Sequence, residues 1–311
     1  MDSVAGLLDG PRARQAFVLR SSLDPPWSMR IQDEAPLTLV TVVRGQAWVL
    51  PDTGDDVRLG PGDVAVLRGP EHYTVADDPG TSPQVVIHPG QRCTAPDGTA
   101  LTSMRDLGVR TWGNRQDGET VLLTGTYQLR SEVSRRLLAA LPTLLVLTRS
   151  SWKTPLTDFL AEEVVRDEPG QEAVLDRLLD LLLVAVLRAW FARPEAAAPG
   201  WYRAHSDPVV GPALRLLQED VAHPWTVAEL AQAASCSRAG FARRFKELIG
   251  EPPMEFLTHW RLTLAADLML EPGATVGSVA RQVGYASPFA FSAAFKRVRG
   301  QSPLAYRTAA G

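Results

Sequence analysis

From residue 35 to 90 the apolar positions come in short runs broken by glycine and acidic turns. LTLVTVV (37–43) and QAWVL (46–50) are β-branched or aromatic, Arg44-Gly45 and PDTGDD (51–56) punctuate them, and VRLGPGDVAVL (57–67) continues the pattern. Several short strands with glycine turns predict a sandwich or barrel. Further turns at DDPG (77–80) and PDG (96–98), and a strand over 119–129, extend it. From about Ser131 the period lengthens to that of a helix. RRLLAALPTLLVL (135–147) is apolar, and Pro142 ends its first helix. Residues 171–191 then carry a wide apolar stripe, Val174, Leu175, Leu178, Leu182, Val186 and Trp190, with Leu179, Leu181 and Leu183 beside it. A helix this apolar is buried in its own core or shared with a second copy of the chain, and both readings stay open. RPEAAAPG (193–200) has the composition of a linker.

The last hundred residues repeat with a period of about 50. TVAELAQAASCSRAGFARRFKELIGEPPMEF (226–256) is matched by TVGSVARQVGYASPFAFSAAFKRVRGQSPLAY (275–306). Thr226-Val227 and Ala231 recur at Thr275-Val276 and Ala280. After one extra residue in the second turn, Phe241, Phe245-Lys246, Gly250 and Pro253 recur at Phe291, Phe295-Lys296, Gly300 and Pro303. Each copy reads as helix, tight turn, helix. Thr226 with Glu229 three residues on forms a capping box, Ser237 caps the next helix, and in the second copy Ser287 is the cap with Pro288 at the first helical position.

The second helix of each copy divides into two faces at about 100° per residue. Phe241, Phe245 and Leu248 stack as an anchor. The other side presents Ala239, Arg243 and Lys246, with Arg238 at the start and Arg244 on the flank, and no acid from 238 to 246. In the second copy Phe291, Phe295 and Val298 form the anchor, while Phe289, Ala293 and Lys296, flanked by Ser287, Ser292, Arg297 and Arg299, face outward. An apolar seam opposite small residues and cations is what a helix needs to enter a major groove. The apolar Phe289 suits a thymine methyl.

Composition narrows the class. Hydrophobic content of 45% and charged content of 22% are ordinary for a globular chain. A length of 311 residues suggests two domains. The net charge of −3 is spread unevenly, with eleven Lys+Arg against nine Asp+Glu from Asp207 onward. Two cysteines make no disulfide framework, and no segment reads as a signal peptide or a membrane span, so a cytoplasmic protein without membrane contact is expected.

With these residues in view, 209–308 closely resembles the AraC/XylS-type DNA-binding domain, the stretch VARQVGYASPFAFSAAFKRVRGQSPLAYR (279–307) carrying its signature. The resemblance implies seven helices, a linking helix at about 253–270, and two recognition helices meeting successive major-groove faces of double-stranded DNA. RNA polymerase is a further candidate partner. The second helix departs from a polar reader at Phe289 and Ala293, which moves the expectation there toward backbone contact.

The β-rich part more loosely resembles cupin-like sensor domains. LGPGDVAVLRGPEHYTV (59–75) looks like the second cupin motif and ends near His72, whereas the first motif's histidines are absent from 28–49. The resulting expectation is an α+β two-domain chain. A cupin-like β-barrel sensor (1–130) is followed by a helical dimerisation or linker region (131–200), then an all-α DNA-binding domain (207–309) with helix-turn-helix motifs at 226–248 and 275–299. Four readings of the sensor stay open. His72, His88 and Cys93 are the candidate ligands of a zinc-type metal. Cys93 beside Arg92 is the candidate for a redox switch, or these residues are ordinary packing. An unidentified small-molecule effector inside the barrel, lined by Trp27, Trp48 and Tyr73, is equally open, and Trp112 suits packing or a domain contact. No catalytic constellation is present. A DNA-binding transcription regulator, not an enzyme and working as a homodimer, is therefore expected over a cupin-type metalloenzyme or a metal- or redox-sensing protein with an appended DNA-binding domain.

Overall fold

The computed structural model describes residues 17–127, 137–152, 154–193, 196 and 198–310. The chain forms two compact units, one gathering Pro11–Leu129 with Leu138–Ala196 and the other built on Ala197–Gly311. The change of unit falls inside the stretch with linker composition.

The first unit holds thirteen strands among the described residues. They are β1 Phe17–Leu23, β2 Ser28–Ile31, β3 Leu37–Arg44, β4 Ala47–Pro51, β5 Val57–Leu59, β6 Val64–Arg68 and β7 Tyr73–Ala76. β8 Val85–His88, β9 Arg92–Thr94, β10 Arg105–Gly108, β11 Thr111–Gly113, β12 Thr120–Tyr127 and β13 Leu144–Leu147 follow. They pair as two sheets, a seven-stranded one in the order β10-β11-β1-β12-β3-β6-β13 and a six-stranded one in the order β5-β4-β7-β2-β8-β9. One core lies between them, with Val40, Val42, Leu67 and Leu122 from the first sheet and Met29, Val49, Val75 and Val85 from the second.

β3 is buried on both faces along its first six residues. Its alternate residues, Leu39 and Thr41, point away from that core. Gly125 lies opposite Leu39 on β12, and a Cβ there would come 2.7 Å from a methyl of Leu179. Leu179 belongs to α2, Gln171–Phe191, which follows α1, Leu156–Glu163. Tyr127 donates its hydroxyl hydrogen to the Leu179 carbonyl at 2.9 Å. Helix α2 therefore covers the outer face of the seven-stranded sheet, and the missing alternation in LTLVTVV has a cause: both faces are dry.

Two expectations change here. The stretch TLLVL was read as helical, but Leu144–Leu147 is a strand, with Leu145 opposite Val66 on β6. The segment 131–200 is accordingly no separate helical region, since Leu138–Ala196 groups with the β-rich part. Residues 131–136 lie outside the described residues. For α2, burial of Leu175, Leu179, Leu182 and Val186 within the chain supports the core reading, while Val174 and Leu181 stay exposed.

The second unit is all helical: α3 Gly200–His205, α4 Val210–Glu219, α5 Val227–Ala233, α6 Arg238–Ile249, α7 Pro253–Leu268, α8 Val276–Gln282, α9 Pro288–Arg299 and α10 Pro303–Ala310. Seven of these follow Asp207, as the resemblance implied. α7 joins the pair α5–α6 to the pair α8–α9.

Candidate nucleic-acid interface

The two helix-turn-helix frames are built by the same local chemistry. Thr226 accepts from the Glu229 amide at 3.2 Å, and the Glu229 carboxylate accepts from the Thr226 amide at 2.8 Å. Thr275 and Ser278 repeat the reciprocal pair at 3.0 Å each way, with a serine hydroxyl in place of the carboxylate. Ser237 and Ser287 accept from the Gly240 and Ala290 amides, both at 3.2 Å. Gly250 and Gly300 end α6 and α9 with φ of +94° and +76°, the left-handed conformation a glycine adopts without a Cβ penalty.

The anchors repeat as well. Phe241 and Phe245 stack at 5.6 Å and Phe245 meets Phe256 edge-on at 5.7 Å. Phe291, Phe295 and Tyr306 make the same chain at 5.6 Å per step. Phe241, Phe245, Phe291 and Phe295 are all fully buried, whereas Phe289 at the start of α9 is exposed. Leu248 is only half-buried and Val298 is exposed, so the third anchor positions read from the sequence are marginal; Ala294 is buried beside Phe295 instead. The last turn of each helix points partly away from its core.

On the outward faces, Arg238, Ala239, Arg243 and Lys246 are exposed on α6, and Phe289, Ala293, Lys296 and Arg297 on α9. Arg243 lies 3.8 Å from Glu247, a loose surface pair. Ser292 is half-buried, and the Ser287 hydroxyl is engaged as a helix cap. Arg244 does not stand free as expected. Its Nη2 and Nε donate to Asp207 at 2.6 and 3.1 Å, and that guanidinium, followed by the Val210 and Val209 amides, holds the Asp207 carboxyl down at about 2. The ion pair straps α6 to the start of α4, a contact between residues 37 apart in the chain. Nothing in the helical period of α6 announces it.

The first unit does not assemble the expected metal ligands. In the β8–β9 hairpin Cys93 lies opposite Ile87, and His88 opposite Arg92. Neighbouring pairs of a ladder face opposite sides of the sheet, so His88 and Cys93 point away from each other. His88 Nε2 is 2.9 Å from the Thr94 hydroxyl, whereas Cys93 packs against the core between the sheets and is 3.6 Å from the Gln91 carbonyl. His72 sits before β7. The three do not form a donor cluster, and a cupin metal does not fit this residue set. Burial also pushes the Cys93 thiol up, away from a reactive thiolate. Among the described residues, donor atoms do cluster at Glu251, Glu255 and His259, where His259 Nδ1 is already hydrogen-bonded to Glu251 at 2.5 Å.

A cavity of about 40 Å³ opens within the β-rich unit. Of the expected lining, only Tyr73 contributes. Trp27 is buried in the core, and Trp48 lies on the other side of β4 from the buried Ala47 and Val49. Trp112, Asp33 and Gln91 line the cavity instead. The Trp112 Nε1 is buried and meets no acceptor among the described residues. Sequence spacing could not bring these residues together, because β2 and β8 pair within one sheet and β11 belongs to the other, so the residues meet only where the two sheets pack.

Fold and exposed faces together define a two-unit protein with a β-rich cupin-like part and a helical part that presents two helix-turn-helix faces to nucleic acid. A cupin family model matches residues 2–192, and a helix-turn-helix domain model matches residues 230–309. The chain is 34% identical over 284 residues to an AraC-like transcription regulator of Streptomyces antibioticus, covering 88% of each chain. It is 32% identical over 289 residues to another from Streptomyces lividans, covering 90% of each. The DNA-binding domain of AdpA, crystallised with a target DNA, is 36% identical and aligns with 33% of this chain and 93% of that one, at a TM-score of 0.32. The chain belongs to the AraC-like transcription regulators, with a cupin domain ahead of its helix-turn-helix domain, and is a DNA-binding transcription regulator. Among the described residues no helix is long and apolar enough to cross a membrane.

Proposed function

We propose that α6 and α9 both enter the major groove of one duplex, α6 reading base edges through Arg238 and Arg243, and that an effector bound in the β-rich unit modulates this contact. The observation that carries the reading is the repeated frame: two capped, phenylalanine-anchored helices whose outward faces carry exposed cations. The effector is a small organic molecule that widens the cavity beside Tyr73 and Trp112, which at about 40 Å³ has room for about three waters. Two copies of the chain associate through the apolar residues that α1 and α2 leave exposed, Phe159, Val174 and Leu181. RNA polymerase is the partner through which a bound regulator would act. The separation of His72, His88 and Cys93 favours this reading over a metalloenzyme.

Selection of bound fragments from genomic DNA, followed by titration at rising salt, tests the DNA reading. Sequence-selective binding whose logarithm falls linearly with the logarithm of salt is expected. Indifference to every fragment at low ionic strength would overturn it. Sedimentation at micromolar concentration tests the dimer, and a monomer with α2 intact would remove it.

A further inference from the structure

Arg261 lies on α7, the helix joining the two frames. Its Nε donates to the Val221 carbonyl and its Nη2 to the His223 carbonyl, each at 2.8 Å, with the Ala222 carbonyl at 3.5 Å from Nη2. All three acceptors belong to the loop between α4 and α5, the entrance to the first frame. The same guanidinium borders the turn of the second frame. A Cβ on Gly284 would sit 2.7 Å from Arg261 Nη2 and 2.6 Å from the Ala222 carbonyl oxygen, and Gly284 has φ of +77°. Only a glycine lets these backbones approach so closely in that conformation. Tyr285, next in the turn, packs edge-on against Phe291 of α9 at 5.6 Å. One side chain thus touches the loop that leads into α5–α6 and the turn that leads into α9.

Arg307 offers a control within the same unit. From α10 it donates to the Met269 carbonyl at 2.8 Å and to the Ala274 carbonyl. Those acceptors flank the loop between α7 and α8, so Arg307 braces the second frame alone. Arg261 differs in bridging both. A planar guanidinium spans the 221 and 223 carbonyls from one position, whereas a lysine ammonium offers a single point.

We propose that Arg261 is the positioning residue that locks the two helix-turn-helix frames at a fixed separation, so that α6 and α9 meet one duplex in one register. The inference rests on the reading that both helices contact the same duplex. Once one frame is bound, the other then binds at an effective concentration set by this lock. Loosening it lowers affinity for the complete site and leaves each half unaffected.

The test uses the full chain and a duplex selected from genomic fragments, that duplex cut back to either half, and versions with one or two base pairs inserted between the halves. Arg261→Gln and Arg261→Lys are compared with the parent chain, with thermal unfolding measured in parallel. Expected for Arg261→Gln are a loss of about tenfold on the complete site, half-site affinities within about twofold, and a flattened preference for spacing. Arg261→Lys should fall between. Equal losses on complete and half sites, an unchanged spacing preference, or failure of both variants to fold would each overturn the proposal, the last by making Arg261 a folding residue. A parent chain that binds either half alone as tightly as the complete site would instead sink the two-helix reading, and the lock with it.

Discussion

The two helix-turn-helix units share a frame and differ in the face they offer. At an offset of 50, Phe241, Phe245 and Lys246 on α6 correspond to Phe291, Phe295 and Lys296 on α9, but Arg238, Ala239, Arg243 and Arg244 correspond to Pro288, Phe289, Ala293 and Ala294. The cations of α6 therefore begin at its N-terminus, while those of α9, Lys296, Arg297 and Arg299, gather in its last turn. Base edges are met mainly by the N-terminal part of a recognition helix. Cations at a helix C-terminus sit favourably against the dipole and suit phosphates. The comparison teaches that one scaffold can be held by its buried half while its exposed half is divided into a reader and a clamp.

The largest effects should come from the half the units share. Phe245→Ala and Phe295→Ala should each cost about 3–5 kcal/mol of stability, because both rings are fully buried at the centre of an aromatic chain. Denaturant unfolding followed by circular dichroism checks this. A large cost at one position and none at the other would break the equivalence of the frames. Next comes the half that differs. Arg243→Ala should lose about 1–3 kcal/mol of binding and relax preference at one base pair. Loss of the same size on every duplex would make Arg243 a phosphate contact, and α6 a second clamp.

How much of this was legible depended on how local the signal was. The caps at Thr226, Ser237 and Ser287 and the 21-residue span of α2 follow from neighbours within a few positions, and the structure places them where sequence spacing does. Leu144–Leu147 misled because a short apolar run has no period of its own; pairing with β6 decides it. His88 and Cys93 looked adjacent until the hairpin register set them on opposite faces. Arg244 looked free because its partner lies outside the repeat, at Asp207. Trp112, Asp33 and Gln91 meet at the cavity only because the two sheets pack together. Apart from the β8–β9 register, each miss is a contact distant in sequence, as is each of the three carbonyls that Arg261 gathers.

Two smaller effects sharpen the contrast between reader and clamp. Arg297→Ala should weaken binding equally on all duplexes and reduce the salt slope by about 1. Selective loss on particular sequences would make Arg297 a base contact rather than a phosphate contact. Phe289 is 88% exposed at the start of α9, where its ring has no partner to lose on folding. Phe289→Ala should leave stability unchanged and cost less than about 1 kcal/mol of binding, confined to duplexes with thymine at the contacted step. A loss independent of sequence would argue against the methyl contact.

The smallest effect concerns the strap that the first unit has and the second lacks, since Ala294 stands where Arg244 would be. The Asp207 carboxyl is held at about 2, below the ordinary 3.8, chiefly by the Arg244 guanidinium. A carboxylate depressed on folding contributes stability above its ordinary value, and that contribution is lost as pH falls through the depressed one. Asp207→Asn should therefore unfold at a lower temperature than the parent at pH 7, and the two should converge as the pH is lowered from about 4 toward about 2. Arg244 is half exposed, so solvent screening keeps the difference modest. The same variant releases a cation on the DNA-facing helix, which should strengthen sequence-independent binding and steepen its salt dependence. Stability and non-specific affinity would thus move in opposite directions. Equal melting temperatures at pH 7, with no change in the salt slope, would show that the strap neither steadies α6 nor withholds Arg244 from DNA.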